Sequence, residues 1–170
     1  MKKFIFTLTA AIVLAAAPLA MAQDDPGKGL YLPGDITLAQ AQIAIDAGLA
    51  KAKEQGTLMD IAIVDAGGNL KAFVRMNGAF LGSIDISIKK AKSARSLNMP
   101  TSTLHDASVP GAELYGIEVT NDGMVIFGGG ELIKDKDGTI IGAIGVSGSS
   151  VANDMEVAQA GAAAVLASFK

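Results

Sequence analysis

Five residues, Asp65-Ala66-Gly67-Gly68-Asn69, divide two runs rich in β-formers, Leu58 to Val64 and Leu70 to Met76. Glycine supplies the positive φ that a tight turn needs, and Asp and Asn support it with side-chain bonds to the backbone. Strands joined this closely pair antiparallel, because a parallel pair needs a crossover of a dozen residues or more. Three further strands are expected at Met124 to Phe127, Glu131 to Lys134 and Thr139 to Ser147, separated by Gly128-Gly129-Gly130 and Lys136-Asp137-Gly138. An amphipathic helix begins after an N-cap at Thr37, with Leu38, Ala41, Ile45, Leu49 and Ala52 on one arc and Gly56 as its stop. A second helix, capped by Ser83, runs to about Leu97 before Asn98-Met99-Pro100 ends it. A short helix follows near Thr101 or Ser102, residues 106 to 122 read mostly as loop, and a last helix spans about Asn153 to Ala167, with Asn153 as its cap. The order is helix, two strands, helix, three strands, helix. It predicts an α+β fold with a mainly antiparallel five-stranded sheet flanked by helices. A doubly wound nucleotide-binding fold would alternate strand and helix regularly.

The first 22 residues read as a secretory signal rather than as part of the fold. Lys2 and Lys3 precede a nearly unbroken apolar run from Phe4 to Ala17, Pro18 breaks it, and Ala20-Met21-Ala22 offers a small-residue cleavage site. The expectation is an exported protein, periplasmic or extracellular, with no membrane attachment after cleavage. Residues 23 to 36 form a flexible lead-in. Removing the two lysines moves the net charge from −3 to −5, which argues against a nucleic-acid partner. With no cysteine and one histidine, cysteine zinc sites, iron–sulfur clusters and multi-histidine sites within one chain are excluded.

The run Gly142-Ala143-Ile144-Gly145-Val146-Ser147-Gly148-Ser149-Ser150 invites a nucleotide or hydrolase reading. It has no lysine for a Walker loop, it spaces its glycines G-x-x-G-x-x-G, and it lacks the final glycine of a nucleophile elbow. It reads instead as a strand whose glycines admit another backbone closely. Ser149, Ser150 and the helix N-terminus after them can still offer hydroxyl and N–H groups to an anion.

On the second helix, Ile84, Ile86, Ile88, Ala91, Ala94 and Leu97 form a broad apolar arc, and Lys90 and Arg95 fall inside it. Two readings stay open. Either these cations line a pocket for an anionic ligand, or they snorkel out along apolar surface. His105 is the one imidazole available to a metal or to haem iron. Met76, Met99 and Tyr115 are other haem-ligating types, although methionine also fills core gaps. Asp154 and Glu156 sit where acids favour the dipole of the last helix.

Three stretches together resemble the GlcG/HbpS family of haem-binding proteins. They are Ala62 to Leu70, Lys90 to Ala94 with Met99-Pro100-Thr101, and Gly142 to Gly148. The resemblance runs from about Thr37 to Phe169, so 37–170 is expected to form a single domain of this kind. It implies an antiparallel sheet flanked by helices, homo-oligomers and haem as cofactor. Secreted members bind haem and are linked to redox sensing and iron handling. In that branch a threonine after the helix-ending proline meets the haem iron, which corresponds to Thr101. An E-x-x-E iron motif corresponds to Asp85 and Ile88, where one carboxylate is lost. Other relatives sit in glycolate or cobalamin-related settings.

The leading expectation is therefore an exported haem-binding protein for haem or iron handling or redox sensing. Thr101 or His105 would approach the iron, and Lys90 and Arg95 would meet the propionates. One alternative is a small-molecule enzyme in which Lys90 binds or acts on a carboxylate near Ser147 or Ser149. Another is a non-catalytic oligomeric module.

Overall fold

The computed structural model describes residues 34–169. The signal reading and most of the lead-in lie outside the described residues. Helix α1 (Leu38–Gln55) leads into strands β1 (Asp60–Asp65) and β2 (Leu70–Arg75), then helices α2 (Leu81–Leu97) and α3 (Thr101–Ser108). Strands β3 (Gly130–Lys134) and β4 (Ile140–Ser147) and helix α4 (Val151–Ser168) complete the order. The strands stand in the order β2-β1-β4-β3, with every neighbouring pair antiparallel. Among the described residues, no helix is long and apolar enough to cross a membrane.

The sheet has four strands, not the five expected. Met124 to Phe127 has strand-like composition, but its first two backbone donors are spent elsewhere. Met124 N–H donates to Glu118 O at 3.0 Å, and Val125 N–H donates to the Ser93 hydroxyl of α2 at 2.9 Å. With those donors turned to a turn and a helix, the segment joins no ladder.

Local signals were reliable where a cap is short-range. Thr37 and Gln40 form a reciprocal capping box at the start of α1, and Gly56 closes its end. The cap of α2 falls elsewhere. Phe80 occupies that position without a side-chain bond, while Ser83 is buried inside the helix and meets the Ser147 hydroxyl at 3.1 Å. At α4 the cap is Ser150, which accepts from Asn153 N–H, rather than Asn153 itself.

The central strands are buried on both faces, so β1 is apolar at consecutive positions rather than alternate ones. Ile61, Ile63, Ile133, Ile144 and Val146 pack with residues of α1 and α4. Val64, Leu132 and Ala143 pack against Ala91 and Ala94 of α2. The buried stripe of α2 is Ser83, Ser87, Lys90, Ala91, Ser93 and Ala94, while Ile84, Ile86, Ile88 and Leu97 are half-buried on its flanks. Gly145 shows why small residues face the sheet. A Cβ there would stand 2.0 Å from Ser87 O and 2.5 Å from Ala91 N. The glycine-rich run is thus a strand that lets a helix backbone lie directly on it.

Candidate functional site

The largest fully buried side chain among the described residues is a lysine. Lys90 is fully buried, and its Nζ donates to Asp154 Oδ2 at 2.7 Å and to Val146 O at 2.8 Å. Its position on the buried stripe of α2, beside Ser87, Ala91 and Ala94, directs the side chain toward the sheet. Asp154 lies in the first turn of α4 and is almost as buried. Its other oxygen accepts from Ser149 N–H at 3.1 Å. The anion held at this helix N-terminus is therefore the chain's own carboxylate. Burial pulls the Lys90 ammonium below its ordinary value and pushes Asp154 above its own, while their mutual contact opposes both shifts.

Gly129 leaves room for this pair, since a Cβ there would stand 2.6 Å from Lys90 Nζ. One aromatic ring lies against the ammonium of the pair. Phe127 lies with its ring centroid 4.9 Å from the ammonium, in cation–π range. On its outer side it lines a groove of about 290 Å³ together with Ser102, His105, Gly128, Val151 and Met155. Three segments build the groove: α3 supplies Ser102 and His105, the loop before β3 supplies Phe127 and Gly128, and α4 supplies Val151 and Met155.

Of the expected site residues, only His105 meets this groove. It is exposed on the outer face of α3. Lys90 is fully buried and paired with Asp154, so it is not free to meet a propionate or a carboxylate substrate. Arg95 lies outside the groove and bonds Asn98 through its guanidinium, with its buried Nε unpartnered. Thr101 is fully buried, and its hydroxyl accepts from Gly130 N–H at 2.9 Å. It closes the open edge of β3 instead of facing a ligand. Beside it, Leu132 N–H, which also turns away from β4, meets the Glu131 carboxylate at 3.3 Å. The serines of the carboxylate alternative are committed too. Ser147 donates to Ser83, and Ser149 accepts from the Asn153 amide. Asp85 is held by Lys89 at 3.0 Å beside a half-buried Ile88, and no cluster of three acids or histidines able to hold a metal occurs among the described residues.

Three residues of this region carried weaker signals in the sequence. Asp154 is accounted for there by the helix dipole alone, which says nothing of its partner on α2. Met155 stands four residues after Val151, a spacing that puts both on one helix face. Phe127 was assigned to a strand.

A family model described as "Haem degrading protein HbpS-like" matches residues 36–163. An uncharacterized 15.0 kDa protein of Citrobacter freundii from a dhaT–dhaS intergenic region is 42% identical over 124 residues, covering 73% of this chain and 87% of that protein. The corrinoid adenosyltransferase PduO of Salmonella typhimurium is 38% identical over 119 residues, 70% of this chain; the chain spans 35% of its length. Among solved structures, Klebsiella pneumoniae protein ORFY superposes with a TM-score of 0.77 at 38% identity, covering 84% of this chain and 97% of that one. A PduOC:heme complex superposes with a TM-score of 0.73 at 36% identity, covering 76% and 94%.

Proposed function

The chain belongs to the HbpS-like family, and on that premise we propose that it binds haem in the groove between α3 and α4, with His105 as an iron ligand. The observation that carries this reading is the placement of the chain's one imidazole in an apolar groove floored by an aromatic ring. The donor set suits the group. Imidazole and thioether are haem-iron ligands, and Phe127 and Val151 offer apolar walls to a macrocycle. The heme complex of the PduOC structure supports the choice of ligand. Thr101 is left out of the iron site, because it is fully buried and lines no part of the groove.

The test is a haemin titration of the purified protein, read at the Soret band. Saturable binding that is lost or severely weakened in His105→Ala is expected. Absence of saturable binding in the wild-type protein overturns the reading, and unchanged binding in His105→Ala overturns the ligand assignment.

The reading includes export and a role in haem or iron handling. Its support is the order of charged, apolar and small residues in the first 22 positions. N-terminal sequencing of protein recovered from outside the cytoplasm should then begin at Gln23. It also includes assembly into homo-oligomers, supported by Leu114, Tyr115 and Val119 exposed close together in sequence. Light scattering at micromolar concentration should report more than a monomer.

A further inference from the structure

Haem iron offers two axial positions, and proteins fill them from a short list of side chains that includes His, Met and Tyr. The groove contains two of these on separate helices, His105 on α3 and Met155 on α4. The other methionines and tyrosine considered from the sequence lie outside its lining. The Met76 sulfur accepts from Met59 N–H at 3.3 Å among core residues, Met99 sits at the junction of α2 and α3, and Tyr115 is on the exposed 109–119 segment.

The thioether also lies close against Gly128 of the loop before β3. A Cβ placed on Gly128 would stand 2.5 Å from Met155 Sδ and 2.7 Å from its Cγ. A larger residue at 128 would displace the flexible end of Met155, so glycine leaves room for the thioether where it now lies. Gly128 and Phe127 of the loop before β3 thus line the groove beside the sulfur. A methionine serving only as core filler needs no groove exposure, yet Met155 is half-buried and lines the opening.

From these observations we infer that Met155 is the second axial ligand, giving His105 and Met155 as the iron-ligating pair of one chain. This rests on the haem reading above. A His/Met pair raises the reduction potential of haem, so the bound iron favours the ferrous state more than it does with His105 alone.

The test uses the haem-loaded full-length protein and reads spectra and potential rather than activity. The wild-type ferric complex should show a low-spin spectrum with a far-red sulfur-to-iron charge-transfer band. Met155→Leu, which conserves volume, should keep haem through His105, lose that band and show a lowered midpoint potential. Gly128→Ala alters neither ligand and should weaken the same band by displacing the sulfur. The inference is overturned if haem binds in a His105-dependent way while Met155→Leu leaves both the far-red spectrum and the potential unchanged. Absence of any saturable haemin binding removes the haem reading itself, and the ligand assignment with it.

Discussion

Removing one member of the Lys90–Asp154 pair should cost far more than removing both, and the two single losses should differ. The ammonium is fully buried and the carboxylate nearly so, 2.7 Å apart. Breaking a buried pair by deleting one partner costs about 3–5 kcal/mol, because a charge is left without compensation. The surroundings set the order within that range. In Lys90→Met the stranded carboxylate keeps the Ser149 N–H donor and the favourable dipole of the α4 N-terminus, so the cost should fall near 3 kcal/mol. In Asp154→Leu the stranded ammonium keeps only Val146 O and the Phe127 ring, so the cost should approach 5 kcal/mol. The double variant strands no charge, and it should lie within about 1–2 kcal/mol of wild type or exceed it. Urea denaturation at neutral pH measures all three, and thermal melts should drop by roughly 10 °C or more in the single variants. If each single variant loses less than about 1 kcal/mol, or the double variant loses the sum of the two, the pair is not the sealed, mutually dependent unit described.

Asp60 offers the opposite case, a fully buried carboxylate with neither oxygen partnered. Burial pushes its pKa above the ordinary 3.8 and outweighs the opposing attraction of Arg75. A raised acid pKa contributes stability below the unfolded value that is lost as pH rises through the folded one. Stability should therefore increase as pH is lowered from neutral toward the ordinary carboxylate range. Asp60→Asn should flatten that slope in pH-dependent melts and gain about 1–2 kcal/mol at neutral pH, whereas an unchanged slope refutes the assignment. Thr101→Val leaves the Gly130 N–H unpartnered and should cost about 1–3 kcal/mol in urea, with the haem spectrum unaltered. A changed Soret band in that variant with no loss of stability would return Thr101 to the iron site.

The parts of the fold legible from sequence are those decided by neighbours in the chain. The β1–β2 hairpin follows from a five-residue turn, and α1 from a Thr37–Gln40 box and a terminal glycine. The fifth strand failed because its fate was decided by Ser93 and Glu118, which no local pattern connects to Met124 or Val125. The site divides the same way. A helical wheel places Lys90 on the inward arc, but its partner lies 64 residues away. Pocket-lining and sealed positions share that arc, and only the packing of α4 separates them. His105 was recognisable by chemistry alone, since no other imidazole exists in the chain. Met155 was legible in spacing but lacked a reason to be singled out until α3 and α4 were seen to share a groove.

The bonds from Gly130 to Thr101 and from Leu132 to Glu131 reach beyond the site. Two outward donors of an edge strand are already taken by side chains, and a foreign strand would have to displace both before it could add to the sheet. Sheet growth through β3 is thus discouraged from within a single copy. A crowded compartment finds at this edge a poor template for fibrous aggregation.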